Sequence, residues 1–324
     1  MKSSFMKQQR KKIVKSPFDK IPKEIAVIYG GVSSEKEINT MEGERVIKLL
    51  SEKKHKVYPV KIDRSFRFIR LLSKLPKQAI LCLTEDLGIQ WLLDAYGIKY
   101  NGSGPLATML SLDKILVKKI LNSYDILTPK FQVITSTNKA KHFKNKFKFP
   151  FVVKPSRCGS SHGLSLAKSK KHLHRAFRKA FKDDSHILIE EFIAGTEITI
   201  VCVGKKILGI VELDKEGKLI YDYQTKLKGH IGYREPAKIS PKATYEIREW
   251  IPKLVDIFNL RNLFRVDCIV KRNKVYILEI NTLPFLAYGG EPYEAVRNKG
   301  KSIYNLLEEI VYDFLTYEKS RPIE

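Results

Sequence analysis

The segment LFRVDCIVKRNKVYILEIN, residues 263–281, constrains the chain more than any other. Two runs rich in β-branched and aromatic residues flank a polar Lys-Arg-Asn-Lys, which reads as an antiparallel hairpin turning at Asn273. In that register Arg265 opposes Asn281 and Asp267 opposes Glu279. Val266, Cys268, Val270, Tyr276, Leu278 and Ile280 then fall together on the other, apolar face. One face is core, and the opposite face gathers a guanidinium, two carboxylates and an amide. Carboxylates set directly across a ladder repel each other unless a cation lies between them. A divalent metal resolves the conflict, and oxygen-only ligands point to Mg2+ bridging substrate phosphates. An ordinary solvated polar face is the alternative.

The rest of the chain supplies a scaffold for such a hairpin. Residues 25–29 (IAVIY) read as a buried parallel strand. Gly30 and Gly31 make a turn, and Ser33-Ser34-Glu35 offer caps for a helix reaching about Leu50. Strands over 56–62 and 79–83 and a helix over 88–96 continue a β-α-β alternation, the signature of a small open α/β domain. A helix is expected over 112–122, strands over 131–135 and 149–153, and a basic helix over 168–182. From Ile187 the chain turns strand-rich, with helices over 241–258 and 301–317.

Sixty Lys and Arg against 35 Asp and Glu give a net charge of +25. Lysine makes up most of that excess, whereas arginine is the residue that recognises phosphates and bases geometrically. The basic stretches, including NKAKHFKNKFK (138–148), therefore read as solvated faces, and nucleic acid is not expected as a partner. Residues 1–24 form a basic lead-in with no apolar segment of the kind a secretory signal requires, so a cytoplasmic protein is expected. No apolar run approaches the roughly 18 residues of a membrane helix. The four cysteines are scattered with no CxxC pair, which speaks against a zinc ribbon, an iron–sulfur site and a disulfide scaffold.

Two further segments carry chemical information. KPSRCGSSHG (154–163) lies between two strand-like runs, and its small residues offer free backbone N–H groups suited to covering a phosphate. It is not a Walker A loop, which needs a strand, GxxxxGK[ST] and a helix. ILIEEFIAGTE (187–197) is a strand running into an acidic-apolar linker, where extended backbone could meet a purine edge and a carboxylate a ribose diol.

Seven segments, IAVIYGGVSSEKEI, YNGSGPLATMLSLDK, FPFVVKPSRCGSSHGLS, ILIEEFIAGTE, YDYQTK, FRVD and LEINTLP, together resemble the D-alanine–D-alanine ligases of the ATP-grasp superfamily. The resemblance runs from about Ile25 to the C-terminus. It implies an α/β and α+β multidomain chain, an ATP-grasp fold preceded by an open α/β (preATP-grasp) domain. The expected division is an N-terminal domain over 25–102, a central subdomain with a glycine-rich lid over 103–190, and a C-terminal subdomain over 191–324. ATP would lie between the last two.

By the same resemblance Lys114, Lys154 and Lys226 serve the phosphates. Glu190, Glu191, Phe192 and Ile193 line the adenine, and Glu197 holds the ribose. Asp267, Glu279 and Asn281 bind Mg2+ (two ions, with Mn2+ able to substitute). Arg265 steadies charge at the reacting carbonyl, Glu35 holds the first substrate's ammonium, and Ser160 sits in the lid. The implied reaction joins two D-alanines through an acyl phosphate to give D-alanyl-D-alanine for peptidoglycan, in a homodimer.

The chain departs from the family pattern on the amino-acid side. The family's histidine-bearing loop is cut to LCLTEDLG (81–88), its tyrosine after the lid-loop lysine is Leu227, and its PGMTxxS reads PFLAYGG (284–290), with Phe285 for glycine and Gly290 for serine. A ligase with another acceptor, such as D-lactate, D-serine or a different amino acid or peptide, is the second reading. A non-catalytic nucleotide- or polyanion-binding relative is the third.

Overall fold

The computed structural model describes residues 21–33, 35–65, 67–83, 88–144, 146–159, 161–214 and 232–317. Its first unit is β1 (Glu24–Gly30), α1 (Lys36–Glu52), β2 (Lys56–Ile62), a 3-10 helix (Arg67–Lys74), β3 (Gln78–Cys82), α2 (Ile89–Ala95) and β4 (Lys99–Tyr100). The strands form a parallel sheet in the order β2-β1-β3-β4. Ile25, Ala26, Val27 and Ile28 of β1 are all buried, as expected of a strand covered on both faces. At the end of β1, Gly30 has φ +91°, and a Cβ there would stand 2.9 Å from the Ile62 carbonyl, so the turn needs glycine. Asn39 Nδ2 donates to the Gly30 carbonyl and ties α1 to the turn. Glu35 is the N-cap of α1 but makes no side-chain cap bond; Ser33 Oγ instead accepts from the Glu35 N–H.

Two helices follow where one was expected, α3 (Pro105–Leu112) and α4 (Lys114–Ser123). Asp113 separates them: its backbone is extended, and its carboxylate caps α4 by accepting from the Ile115 and Leu116 N–H groups. The second sheet is built from β5 (Phe131–Ile134), β6 (Phe151–Pro155), β7 (Ser165–Ala167) and β8 (Ile187–Glu191), with α5 (Thr137–Lys141) and α6 (Lys170–Ala180) on it. It is antiparallel in the order β5-β8-β6-β7. Leu173, Ala176, Phe177 and Ala180 turn α6 inward, and its lysines and arginines are exposed, the solvated face that the charge pattern suggested.

The third sheet takes β9 (Thr196–Val203), β10 (Lys206–Asp214), β11 (Gly232–Arg234), β12 (Leu263–Lys271) and β13 (Lys274–Asn281), antiparallel in the order β11-β10-β9-β12-β13. Helix α7 (Pro241–Phe258) covers one face. Its Ile247, Ile251, Leu254 and Phe258 pack with Ile198, Ile200, Phe264, Val266 and Cys268, and with Val117 and Leu121 of α4. The helix starts with Pro241 after Ser240, whose Oγ accepts from the Ala243 N–H, and ends on left-handed Asn259. Helices α8 (Glu291–Arg297) and α9 (Ile303–Tyr317) cover another part. Leu306, Leu307 and Ile310 bridge Val201 and Val211 of this sheet to Ile25, Val27 and Ile80 of the first. One continuous core thus fixes the first sheet against the third.

The β12–β13 hairpin keeps the expected pairs, Arg265 with Asn281 and Asp267 with Glu279. Its tip differs. Arg272 and Asn273 form a two-residue turn with φ 47° and 65°, and the register shifts between Asp267 and Cys268, which pairs with Ile277. This β-bulge reverses the facing of the outer part of β13. Val275 and Ile277 enter the core, whereas Tyr276 and Leu278 leave the apolar face assigned to them. Among the described residues no helix is long and apolar enough to cross a membrane.

Candidate active site

An open cleft lies between the second and third sheets. Its apolar walls are Val152 of β6, Phe192 and Ile193 after β8, Leu213 of β10, Ile269 of β12 and Leu278 of β13. The bulge puts Leu278 here. A slot walled by aliphatic and aromatic groups, with an extended segment along one side, suits a planar base. Glu197 and Thr199 of β9 also line the cleft. Glu191 is turned to its neighbour strand: its Oε1 accepts from the Lys130 N–H at 3.0 Å.

Polar groups gather at the other end. Lys154 Nζ lies 3.0 Å from Glu190 Oε2, and Lys118 Nζ lies 2.5 Å from Glu190 Oε1. Lys118 is fully buried and also donates to Thr128 Oγ1 at 2.6 Å; that hydroxyl in turn donates to the Ile277 carbonyl at 2.8 Å. A buried relay therefore runs from β13, through α4 and β8, to a cleft lysine on β6. Burial alone would raise the Glu190 pKa, but the two lysines outweigh it and hold the carboxyl below its usual range. Lys118, the deeper cation, is brought down to about 8 by burial despite Glu190, with Lys154 adding to the fall. Lys154 goes the other way: Glu190 and Glu279 outweigh its burial and raise it.

Lys114, the first residue of α4, places Nζ 3.4 Å from Glu279 Oε2 and donates to the Cys158 carbonyl at 2.8 Å. This second contact ties the 154–163 turn to the hairpin's acidic face. On that face, Thr199 Oγ1 donates to Asp267 Oδ1 at 2.7 Å, and Arg265 reaches Asp267 Oδ2 at 3.6 Å and Glu291 Oε1 at 2.5 Å. The Asp267 pKa is raised by burial, with Glu279 and Glu291 reinforcing the rise against Arg265. Arg265 is raised as Asp267, Glu291 and Glu279 overcome its own burial.

Asp267 and Glu279 stand opposite each other, and Asn281 Oδ1, next along the strand face, accepts from the Leu283 N–H at 2.9 Å. Among the described residues no three His, Cys, Asp or Glu side chains group as a metal site. What this face could offer a metal is two carboxylates and an amide oxygen, short of a full shell. That fits a hard cation which keeps waters and takes the remaining ligands from phosphates, and its charge would relieve the carboxylate repulsion.

A second cavity adjoins the first and shares Lys114, Arg265 and Glu279 with it. Glu35, Ser111, Asn281 and Phe285 also line it. Glu35 is buried, and Ser111 Oγ is buried with no hydrogen-bond partner, so the cavity has an acid at one side and an unmet hydroxyl in its wall.

Glu35, Lys114, Lys154, Glu190, Glu191, Phe192, Ile193, Glu197, Arg265, Asp267, Glu279 and Asn281, singled out from the sequence, all line one of these two joined cavities. Ser160 and Lys226 lie outside the described residues, as do Leu227 and residues 84–87 of the shortened loop. Lys118, Thr199, Leu278 and Glu291 were not anticipated. Lys118 carries a weak signal, since it lies one helical turn after Lys114 and so on the same side of α4.

The family model described as D-ala D-ala ligase C-terminus matches residues 120–312. The chain is 32% identical over 314 residues to a D-alanine–D-alanine ligase of Carboxydothermus hydrogenoformans, covering 89% of this chain and 96% of that one. It is 32% identical over 296 residues to the D-alanine–D-alanine ligase of Aquifex aeolicus, covering 89% and 99%. Among solved structures, the Bacillus anthracis D-alanine–D-alanine ligase complexed with ATP superposes with a TM-score of 0.77 at 27% identity, over 93% of this chain and 99% of that one.

Proposed function

The chain belongs to the D-alanine–D-alanine ligase family, and on that premise we propose that it is a cytoplasmic enzyme that joins two D-alanines with ATP, forming D-alanyl-D-alanine for peptidoglycan. The observation that carries the proposal is the juncture of the two cavities. Lys114, Arg265 and Glu279 face both, so a phosphate in the first and a carboxylate in the second would meet at the same three side chains.

In the proposed reaction a carboxylate oxygen of the first D-alanine attacks the γ-phosphorus of ATP. The bond to the β–γ bridging oxygen breaks and ADP is released from the phosphoryl group. The amine of the second D-alanine then attacks the acyl carbon and loses a proton. Phosphate departs with the original carboxylate oxygen. The base lies in the slot between Phe192, Ile193, Ile269 and Leu278, with Glu197 on the ribose. Lys114 and Lys154 set the phosphates in line and offset their charge. Arg265, on β12, stabilises negative charge on the carbonyl oxygen as the amine adds. Glu35 holds the ammonium of the first substrate. Ser160 and Lys226 enter the proposal through their place in the family motifs alone. Asp267, Glu279 and Asn281 would hold Mg2+, which when bound draws charge from the phosphoryl oxygens. A homodimer, as in the family, completes the reading.

A second reading, with an acceptor other than D-alanine, is favoured by the 284–290 loop. Phe285 lines the second cavity, and a Cβ on Gly290 would approach the Phe285 carbonyl to 2.6 Å, so a serine does not fit there unless the loop moves. The test is ADP release from Mg-ATP with D-alanine alone, then with D-lactate or D-serine added, with products identified by mass. Formation of D-alanyl-D-alanine supports the first reading, and product only with another acceptor supports the second. Silence with every substrate refutes both.

A further inference from the structure

The charge of the chain is not evenly spread. From Ile126 to Lys182 there are twelve Lys and three Arg and no Asp or Glu, so this stretch supplies 15 of the net +25. The remainder mixes 45 Lys and Arg with 35 Asp and Glu. A general preference for lysine would leave the acids in place, and here they are missing. The next acids along the chain, Asp183 and Asp184, lie beside the lid turn, against Gly163 and Arg157.

The fold gathers these cations on one surface. Alternate residues of β6 divide between two sides: Val152 and Lys154 line the cleft, whereas Phe151 and Val153 pack with Ala140 of α5 and Phe177 of α6. The Phe143 ring meets Phe177 edge-on at 5.6 Å and Phe147 meets Phe151 at 5.5 Å, so the segment after α5 covers the same side of the sheet. The outer surface of α5, this segment and α6 therefore faces away from the cleft. Every Lys and Arg between 137 and 182 is exposed except Lys154. Among the described residues, Arg157 is the only one of those exposed cations with a carboxylate partner.

We propose that this surface, solvated in the free protein, binds the anionic face of a lipid bilayer, peripherally and without insertion. Leu173, Ala176, Phe177 and Ala180 of α6 are buried against the sheet, so the helix has no apolar stripe left to enter a membrane. What remains is charge, and each basic residue close to an anionic bilayer typically strengthens binding about fivefold. Nucleic acid fits less well. Arg175 and Arg178 are the only arginines of α6, and Phe143, Phe147 and Phe177 turn their rings on one another and on the sheet. Base readout by arginine and base stacking on aromatics therefore have little to work with. Because the surface lies away from the cleft, the proposal stands beside the ligase reading and does not depend on it.

The test is sedimentation of the full chain with vesicles of equal phosphatidylglycerol and phosphatidylcholine, and with phosphatidylcholine alone. Binding is expected with the anionic vesicles only, and is expected to be lost as NaCl is raised to about 0.5 M. Lys171→Gln, Arg175→Gln, Arg178→Gln and Lys182→Gln, made together, are expected to weaken it by at least about thirtyfold with the melting curve near that of the wild type. The same charge removed from the α7–β13 side, as Lys242→Gln, Arg248→Gln, Lys253→Gln and Lys274→Gln, is expected to weaken it by no more than about threefold, since screening limits the reach of distant charges. Equal losses in the two variants would mean that net charge, and not this surface, attracts the bilayer, and would overturn the inference. Failure of the wild type to sediment with the anionic vesicles would overturn it too, including the case in which the chain binds nucleic acid instead.

Discussion

Glu42→Gln removes one buried acid from the junction between α1 and the 284–290 loop. Glu42 is 2% exposed, and its pKa is raised to about 8 by burial, against the Leu286 N–H bond that lowers it and with Glu35 pushing it further up. The unfolded chain releases this proton near 4.5, so between about 4.5 and about 8 the folded protein binds the extra proton. Stability from this site is complete below the lower value and is lost as pH rises toward the upper one. At about 1.4 kcal/mol per pH unit the loss has a ceiling of roughly 5 kcal/mol, and half of that moves a melting temperature by several degrees. Glutamine keeps a carbonyl that can accept from Leu286 and has nothing to titrate. Melting wild type and Glu42→Gln side by side at about pH 5 and about pH 8 should therefore show the variant gaining on the wild type at the higher pH. A difference that stays constant across that range would refute the reasoning.

Other changes should act locally. Lys118→Met leaves Glu190 to Lys154 alone, so Lys154 is drawn from the phosphates; the KM for ATP should rise about tenfold with the KM for D-alanine little changed, read from initial rates. Asp267→Asn or Glu279→Gln should abolish ADP release while leaving the melting curve near that of the wild type, and wild-type turnover by either would remove them from the metal set. Gly290→Ser should destabilise the chain by about 1–3 kcal/mol in thermal melts, because the new Cβ meets backbone rather than a movable side chain.

How far the sequence speaks for itself varies with the range of the interactions. The strand at Lys56–Ile62 and the helix at Pro241–Phe258 were readable to the residue, since alternation, Pro241 and the Asn259 stop are local signals. The pairing of Arg265 with Asn281 and of Asp267 with Glu279 was readable because the polar residues recur at every second position. The bulge was not. Residues 275–278 (VYIL) are apolar at consecutive positions, so either parity satisfies the pattern, and the two-residue turn decides. Helix α8 has seven residues, begins Glu-Pro after two glycines and shows little periodicity, so no local signal picks out Glu291. Lys118 sits beside Lys119 in a basic helix and looks like surface; only the return of β8 brings Glu190 to it. Contacts that depend on remote strands were invisible, and they are the ones that hold the cations of the cleft.

The central claim is that a substrate carboxylate is activated by phosphoryl transfer within this cleft. D-alanine labelled with heavy oxygen in its carboxylate, incubated with Mg-ATP, tests it directly through the mass of the released phosphate. The account predicts that each phosphate carries one labelled oxygen from D-alanine as the dipeptide forms. Unlabelled phosphate accompanying ADP release would show that water, not the carboxylate, takes the phosphoryl group, and would contradict it.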